Sequence, residues 1–106
     1  METPRKRRDR LRIMAEMLVI AKDRSLKTQI MYRANLSFAQ LNEYLNFLIR
    51  RELLNRNMEN GKTFYKTTAK GVKYLENYEE ISNLLRRGKE NPVRVNSPIF
   101  LLKRTP

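Results

Sequence analysis

The chain has 106 residues, with 23 Lys and Arg against 11 Asp and Glu, for a net charge of +12. That length suits one domain with one modest core, and that charge points to a polyanionic partner. Neither Cys nor His occurs, which excludes disulfides, thiolate or imidazole metal sites and the common nucleophile–base pairs.

The charge is unevenly spread: residues 1–12 carry a net +4, residues 86–106 a net +5, and the stretch between only +3. As plain solvated tails these ends would aid solubility. Beside a folded binding unit they would add sequence-independent attraction to phosphate. Residues 1–6, METPRK, read as a disordered basic arm. No apolar stretch follows them, so they do not read as a signal peptide, and no apolar run approaches the length of a membrane span. A cytoplasmic protein is expected.

The first helix is expected from about Arg7 to Arg24, with Leu11, Met14, Leu18 and Ala21 on one stripe and Ile13, Met17 and Ile20 widening it. So wide a face fits deep burial, or burial against both the core and a second subunit. "DRSLK" breaks this helix, and a second covers Lys27–Ala34, burying Ile30. In "YRANLSFAQLNEYL", Asn35 suits a left-handed helix end and Ser37 an N-cap. Gln40 completes a capping box with Ser37, and Leu36 plugs the corner between the helices. Two helices joined by so tight a turn suggest a helix-turn-helix.

The third helix is expected over Phe38–Arg51, with Phe38, Leu41, Leu45, Leu48 and Ile49 inward. Ala39, Gln40, Glu43, Asn46, Phe47 and Arg50 then face outward. Short groups, amides and an Arg in that order suit a major groove, although an ordinary solvated face would look similar. Glu43 fits such a face only by accepting from a cytosine amine, and Phe47 is odd on any solvated one. Next, Asn60-Gly61 marks a two-residue type I′ hairpin turn and makes Glu59 face Lys62. The register places Leu54, Arg56, Met58, Thr63, Tyr65 and Thr67 on one side, which must pack on the helices. Lys62 and Lys66 are left near the tip and outer edge.

A last helix begins after Thr68 and runs to about Arg87, with Val72 and Leu75 closing the core. Tyr74, Tyr78, Ile81 and Leu85 recur at intervals of four, three and four, a two-heptad seam. Packing within the domain would show the same spacing, but a seam left over would suit a second copy of the chain. Residues 88–106 read as a basic, Pro-containing tail whose "IFLL" must dock somewhere. The expected organisation is a basic arm at 1–6, a domain at 7–76, a helix extension at 77–87 and the tail at 88–106.

The text "KTQIMYRANLSFAQLNEYLNFLIRRELL", followed by "YKTTAKGVKYLE", resembles archaeal winged-helix proteins of the ArnR type and the 10a chromatin-protein type. The likeness covers roughly residues 11–80 and rests on a KT-x-IMY-x-ANLS stretch and a Y-x-(L/T)-T-x-KG stretch at the right separation. It implies a mainly α winged helix-turn-helix with a small β-hairpin and a C-terminal dimerisation helix. It also implies binding of double-stranded DNA by a homodimer. Gly88 and Pro92 would stop the last helix earlier than in proteins of the 10a type, which leaves the form of the dimer open.

Carried over by position, helix 38–51 reads the groove and hairpin 54–67 is the wing. The expected DNA-binding residues are Arg33, Ser37, Ala39, Gln40, Glu43, Asn46 and Arg50, with Lys62, Thr63 and Lys66 on the wing. The expected dimer contacts are Tyr74, Tyr78, Ile81 and Leu85. No cofactor, metal or small-molecule ligand is expected. An enzyme is not expected either, since Gly occurs only at 61, 71 and 88 and the carboxylates do not cluster into a site. A protein-interaction module and an RNA-binding protein are the competing readings.

Overall fold

A computed structural model describes residues 8–86. The expectations for the arm at 1–6 and the tail at 88–106 lie outside the described residues. Helix α1 (Arg10–Ile20) continues as a 3-10 turn over Ala21–Asp23 and leads into a short strand β1 (Ser25–Leu26). There follow α2 (Lys27–Ala34), α3 (Phe38–Arg50), β2 (Leu54–Glu59), β3 (Lys62–Thr67) and α4 (Ala69–Leu85). This is the mainly helical, winged arrangement expected, with one strand more.

Helix α1 starts later than expected because Asp9 caps it, its carboxylate accepting from the Arg12 amide at 2.8 Å. The helix ends where Arg24 takes a positive φ of 44° and turns the chain into β1. That two-residue strand is too short to show a period, so only the fold reveals it. It pairs Ser25 with Tyr65 and Leu26 with Phe64, giving a sheet of order β1-β3-β2.

The corner between α2 and α3 is as expected. Asn35 sits at φ 56°, ψ 57°, and the Leu36 amide donates back to the Met31 carbonyl at 3.0 Å, the bond pattern of a left-handed helix end. The Ser37 hydroxyl accepts from the Gln40 amide at 3.2 Å, and the Gln40 side-chain oxygen accepts from the Ser37 amide at 3.0 Å. Buried Leu36 fills the corner.

The core gathers Met17 and Leu18 of α1, Ile30 of α2, Leu41 and Leu48 of α3 and Leu54 of β2, all but fully buried. Each such side chain stabilises the fold by about 1.5–3 kcal/mol. Two helix residues expected inside are not. Phe38 is 65% exposed and Leu11 55% exposed. On α3 the buried set is Leu41, Tyr44, Leu45 and Leu48. Including Tyr44 rotates the inward arc away from Phe38, which lies at its margin in the first turn, with only the Lys27 ammonium set over its ring. Ile49 and Phe47 are both half-buried, and Arg51 lies 5.3 Å over the Phe47 ring.

The hairpin has the expected register, from Leu54 opposite Thr67 to Glu59 opposite Lys62. Asn60 and Gly61 both take positive φ, 50° and 77°, as a type I′ turn requires. Only its root packs, however: Leu54, Tyr65 and Thr67 are buried, whereas Arg56 and Met58 are exposed. The ribbon overhangs the core, so the expected packed face ends two residues in.

Thr68 caps α4, accepting from the Gly71 amide at 3.0 Å while its hydroxyl donates to the Glu52 carbonyl at 2.7 Å. Gly71 is required by close approach: a Cβ there would stand 2.3 Å from the Leu53 carbonyl oxygen. Farther along, the Tyr74 hydroxyl donates to the Leu11 carbonyl at 2.7 Å, tying α4 to the start of α1.

Candidate nucleic-acid interface

Because α3 buries Leu41, Tyr44, Leu45 and Leu48, elementary helix geometry turns Ala39, Glu43, Asn46 and Arg50 outward. All four are exposed. Small Ala39 sits near the helix start, and Arg50 closes the last turn. Arg33 is exposed in the last turn of α2, and Ser37 is exposed at the corner but engaged as the N-cap.

Two expected readers on this helix are already occupied. The Gln40 oxygen is held by the Ser37 amide, so at most its amide hydrogens are free for another partner. The Glu43 carboxylate lies 3.6 Å from the Arg10 guanidinium, and Arg10 also stands 5.3 Å over the Tyr44 ring. An exposed pair of this kind contributes about 0–1 kcal/mol. Its larger effect is to offset the one negative charge on the outward face of α3.

On the wing, Lys62 is exposed and Thr63 half-buried. Lys66 does not reach out at the tip as expected. It sits at the root, where its ammonium donates to the Lys22 carbonyl at 2.8 Å. Arg56 takes its place as an exposed cation on the ribbon, a residue the strand register alone assigned to the packed side. Among the described residues, Arg33, Arg50, Arg56 and Lys62 form no ion pair.

The wing is braced to the body through Arg24. Its guanidinium carbon lies 4.0 Å from the Phe64 ring centroid, and it pairs with Glu59. Arg8 is likewise occupied: it donates to the Ala34 carbonyl at 2.6 Å and the Asn35 carbonyl at 3.0 Å, at the negative end of α2.

The seam expected on α4 divides in two. Tyr74 and Tyr78 stack with centroids 6.3 Å apart, and Tyr74 packs on the core of its own domain. Burial, the neighbouring Tyr78 and Asp9 push the Tyr74 phenol up to about 12. Ile81 and Leu85 are exposed, joined by Leu84 at 83%, a residue the heptad spacing did not single out. The carboxylates Glu76, Glu79 and Glu80 are exposed on this helix and form no ion pair among the described residues. Among the described residues no three metal-ligating side chains cluster, and no helix is long and apolar enough to cross a membrane.

The three-helix core, the capped corner and the two-stranded ribbon identify the class. The chain belongs to the winged helix-turn-helix family, which matches residues 7–86. It is similar to the uncharacterized protein MJ0290 of Methanocaldococcus jannaschii, with 34% identity over 83 residues, covering 77% of this chain and 37% of that protein. The chain thus spans little over a third of that relative.

Among solved structures it is similar to Sso10a-2, a DNA-binding protein from Sulfolobus solfataricus. There the TM-score is 0.61 with 24% identity, over 76% of this chain and 100% of the other. It is also similar to F93 from STIV, a winged-helix DNA-binding protein, with a TM-score of 0.61 and 21% identity over 73% and 92% of the two chains. At these identities the likeness establishes the fold.

Proposed function

We propose that this chain is a double-stranded DNA-binding protein of the regulator or chromatin type, acting from the cytoplasm on the nucleoid. The observation that carries this reading is the outward face of α3. Ala39, Asn46 and Arg50 stand exposed there, beside a ribbon and a helix end whose cations Arg33, Arg56 and Lys62 have no carboxylate partner among the described residues.

Small, amide and guanidinium groups match a major groove, while free cations on flanking elements match phosphates. Asn46 and Arg50 read base edges, and Arg33, Arg56 and Lys62 hold the backbone. The two similar solved structures are DNA-binding proteins by name, which supports the same reading. Membership of a family of binding folds and the lack of His and Cys support a binding rather than a catalytic role.

The bound form is a homodimer built on Tyr78, Ile81, Leu84 and Leu85 of α4, with Tyr74 kept inside each domain. A two-fold pair would set two α3 helices about 34 Å apart, one turn of duplex.

The test is selection of bound sequences from random duplexes at two salt concentrations, repeated for two variants. Arg50→Ala is expected to relax preference at one position of the selected motif. Lys62→Ala is expected to weaken all duplexes alike and lower the salt slope by about 1. Failure of the wild-type chain to retain any duplex would overturn the proposal and favour a protein-interaction module.

A further inference from the structure

We infer that Phe38 is a specificity residue that reads the C5 methyl group of a thymine, an inference that rests on the DNA-binding reading above. Phe38 opens α3 and is 65% exposed. Its ring forgoes the stabilisation that a buried aromatic side chain supplies, although Tyr44, one turn and a half further on, takes it in full.

The ring is not simply loose on the surface. The Lys27 ammonium lies 5.1 Å from its centroid, so one cation is held against it while the rest of the ring stays bare. Its chain neighbours are Ser37, tied up as the N-cap, and Ala39, which is too small to cover it.

The first turn of a recognition helix is the part that meets base edges. There the best match for an apolar ring in the major groove is the thymine methyl; cytosine offers only a C5–H at that position, and the groups that otherwise distinguish the base pairs are hydrogen-bond donors and acceptors. Lys27, at the first position of α2, supplies the charge complement next to that contact, since any groove edge is lined by phosphates. The arrangement selects thymine at one position of each half-site without a hydrogen bond.

The experiment uses the full chain and its best selected duplex. Each thymine is replaced in turn by deoxyuridine, which removes the methyl group and leaves the pairing edges intact. Wild type is expected to lose about fourfold in affinity at one position per half-site, the effect of burying one methylene-sized group. Phe38→Ala is expected to bind the thymine duplex about fourfold more weakly and to treat thymine and uracil alike there. Phe38→Leu should retain part of the discrimination. An unchanged melting temperature for the variants would separate lost reading from lost folding, as expected for so exposed a side chain.

Uracil tolerated at every position by wild type, or a uracil penalty that persists in Phe38→Ala, would overturn the assignment while leaving DNA binding through Arg50 and Lys62 intact. Absence of any duplex binding by wild type would remove both.

Discussion

Arg24 covers the ring of Phe64 at 4.0 Å and pairs with Glu59, so a residue in the link between α1 and β1 holds both strands of the wing. The same residue sits at a positive φ of 44° where the chain turns into β1. Loss of an exposed cation–π contact and an exposed ion pair together is worth about 1 kcal/mol. Arg24→Ala should therefore lower the melting temperature by about 4–8 °C. On the proposed DNA-binding reading it should also weaken duplex binding through the wing. In a double-mutant cycle, Lys62→Ala should cost less in the Arg24→Ala background than in wild type.

Gly71→Ala sets two opposing effects against each other. Ala is the better helix former by about 1 kcal/mol. The new Cβ, however, would stand 2.3 Å from the Leu53 carbonyl oxygen and 2.6 Å from Thr67 Cγ2. Neither atom can give way easily, since Leu53 accepts from the Thr68 amide and the Thr67 hydroxyl donates to the Leu18 carbonyl. Overpacking, at about 1–3 kcal/mol, should win, leaving a net loss of up to about 2 kcal/mol in urea unfolding. Gly61→Ala meets no atom within 4 Å and should cost only the roughly 1–2 kcal/mol of a left-handed Ala.

Tyr74 gives the fold a dependence on alkaline pH. Its phenol is raised to about 12 from 10.0, first by burial, then by Tyr78 and Asp9. The unfolded chain releases this proton sooner than the folded one. The stability associated with the neutral phenol is therefore complete below pH 10 and is lost as pH rises toward 12. Melting curves between pH 9 and 12 should fall more steeply for wild type than for Tyr74→Phe. At neutral pH the same variant should lose about 0.5–1.5 kcal/mol with the bond to Leu11.

Ile81→Glu bears on the assembly. It places a charge among Tyr78, Leu84 and Leu85, all on a helix face left uncovered or half-covered within one chain. Sedimentation should show a dimer for wild type and a monomer with unchanged helix content for the variant. A wild-type monomer at tens of micromolar would discard the proposed pairing.

Local chemistry was the most legible part of the sequence. Asn35, Ser37 and Gln40 announce the corner, and Asn60-Gly61 dictates the register of every pair in the ribbon, because both rest on backbone preferences that a neighbour cannot override. What depended on how far the core extends was misread. Phe38 looked like a core residue until Tyr44 rotated the inward arc, and Arg56 looked packed because alternation gives a side but not a depth. Lys66 looked free because its carbonyl partner on Lys22, 44 positions away, leaves no periodic trace. Ser25–Leu26 pairs across some 40 positions with Phe64 and Tyr65, a relation no short window contains.

The missing side chain at Gly71 lets the backbone of α4 rest directly on the carbonyl that begins the ribbon, with the Thr68 amide bonded to the same oxygen at 3.1 Å. No flexible side chain lies between the two elements to absorb a change of angle. If two copies join along this helix, each wing is geared to the joint. Twisting one copy against the other would swing the ribbons by the same amount, and a single spacing on the duplex would be enforced by steric contact alone.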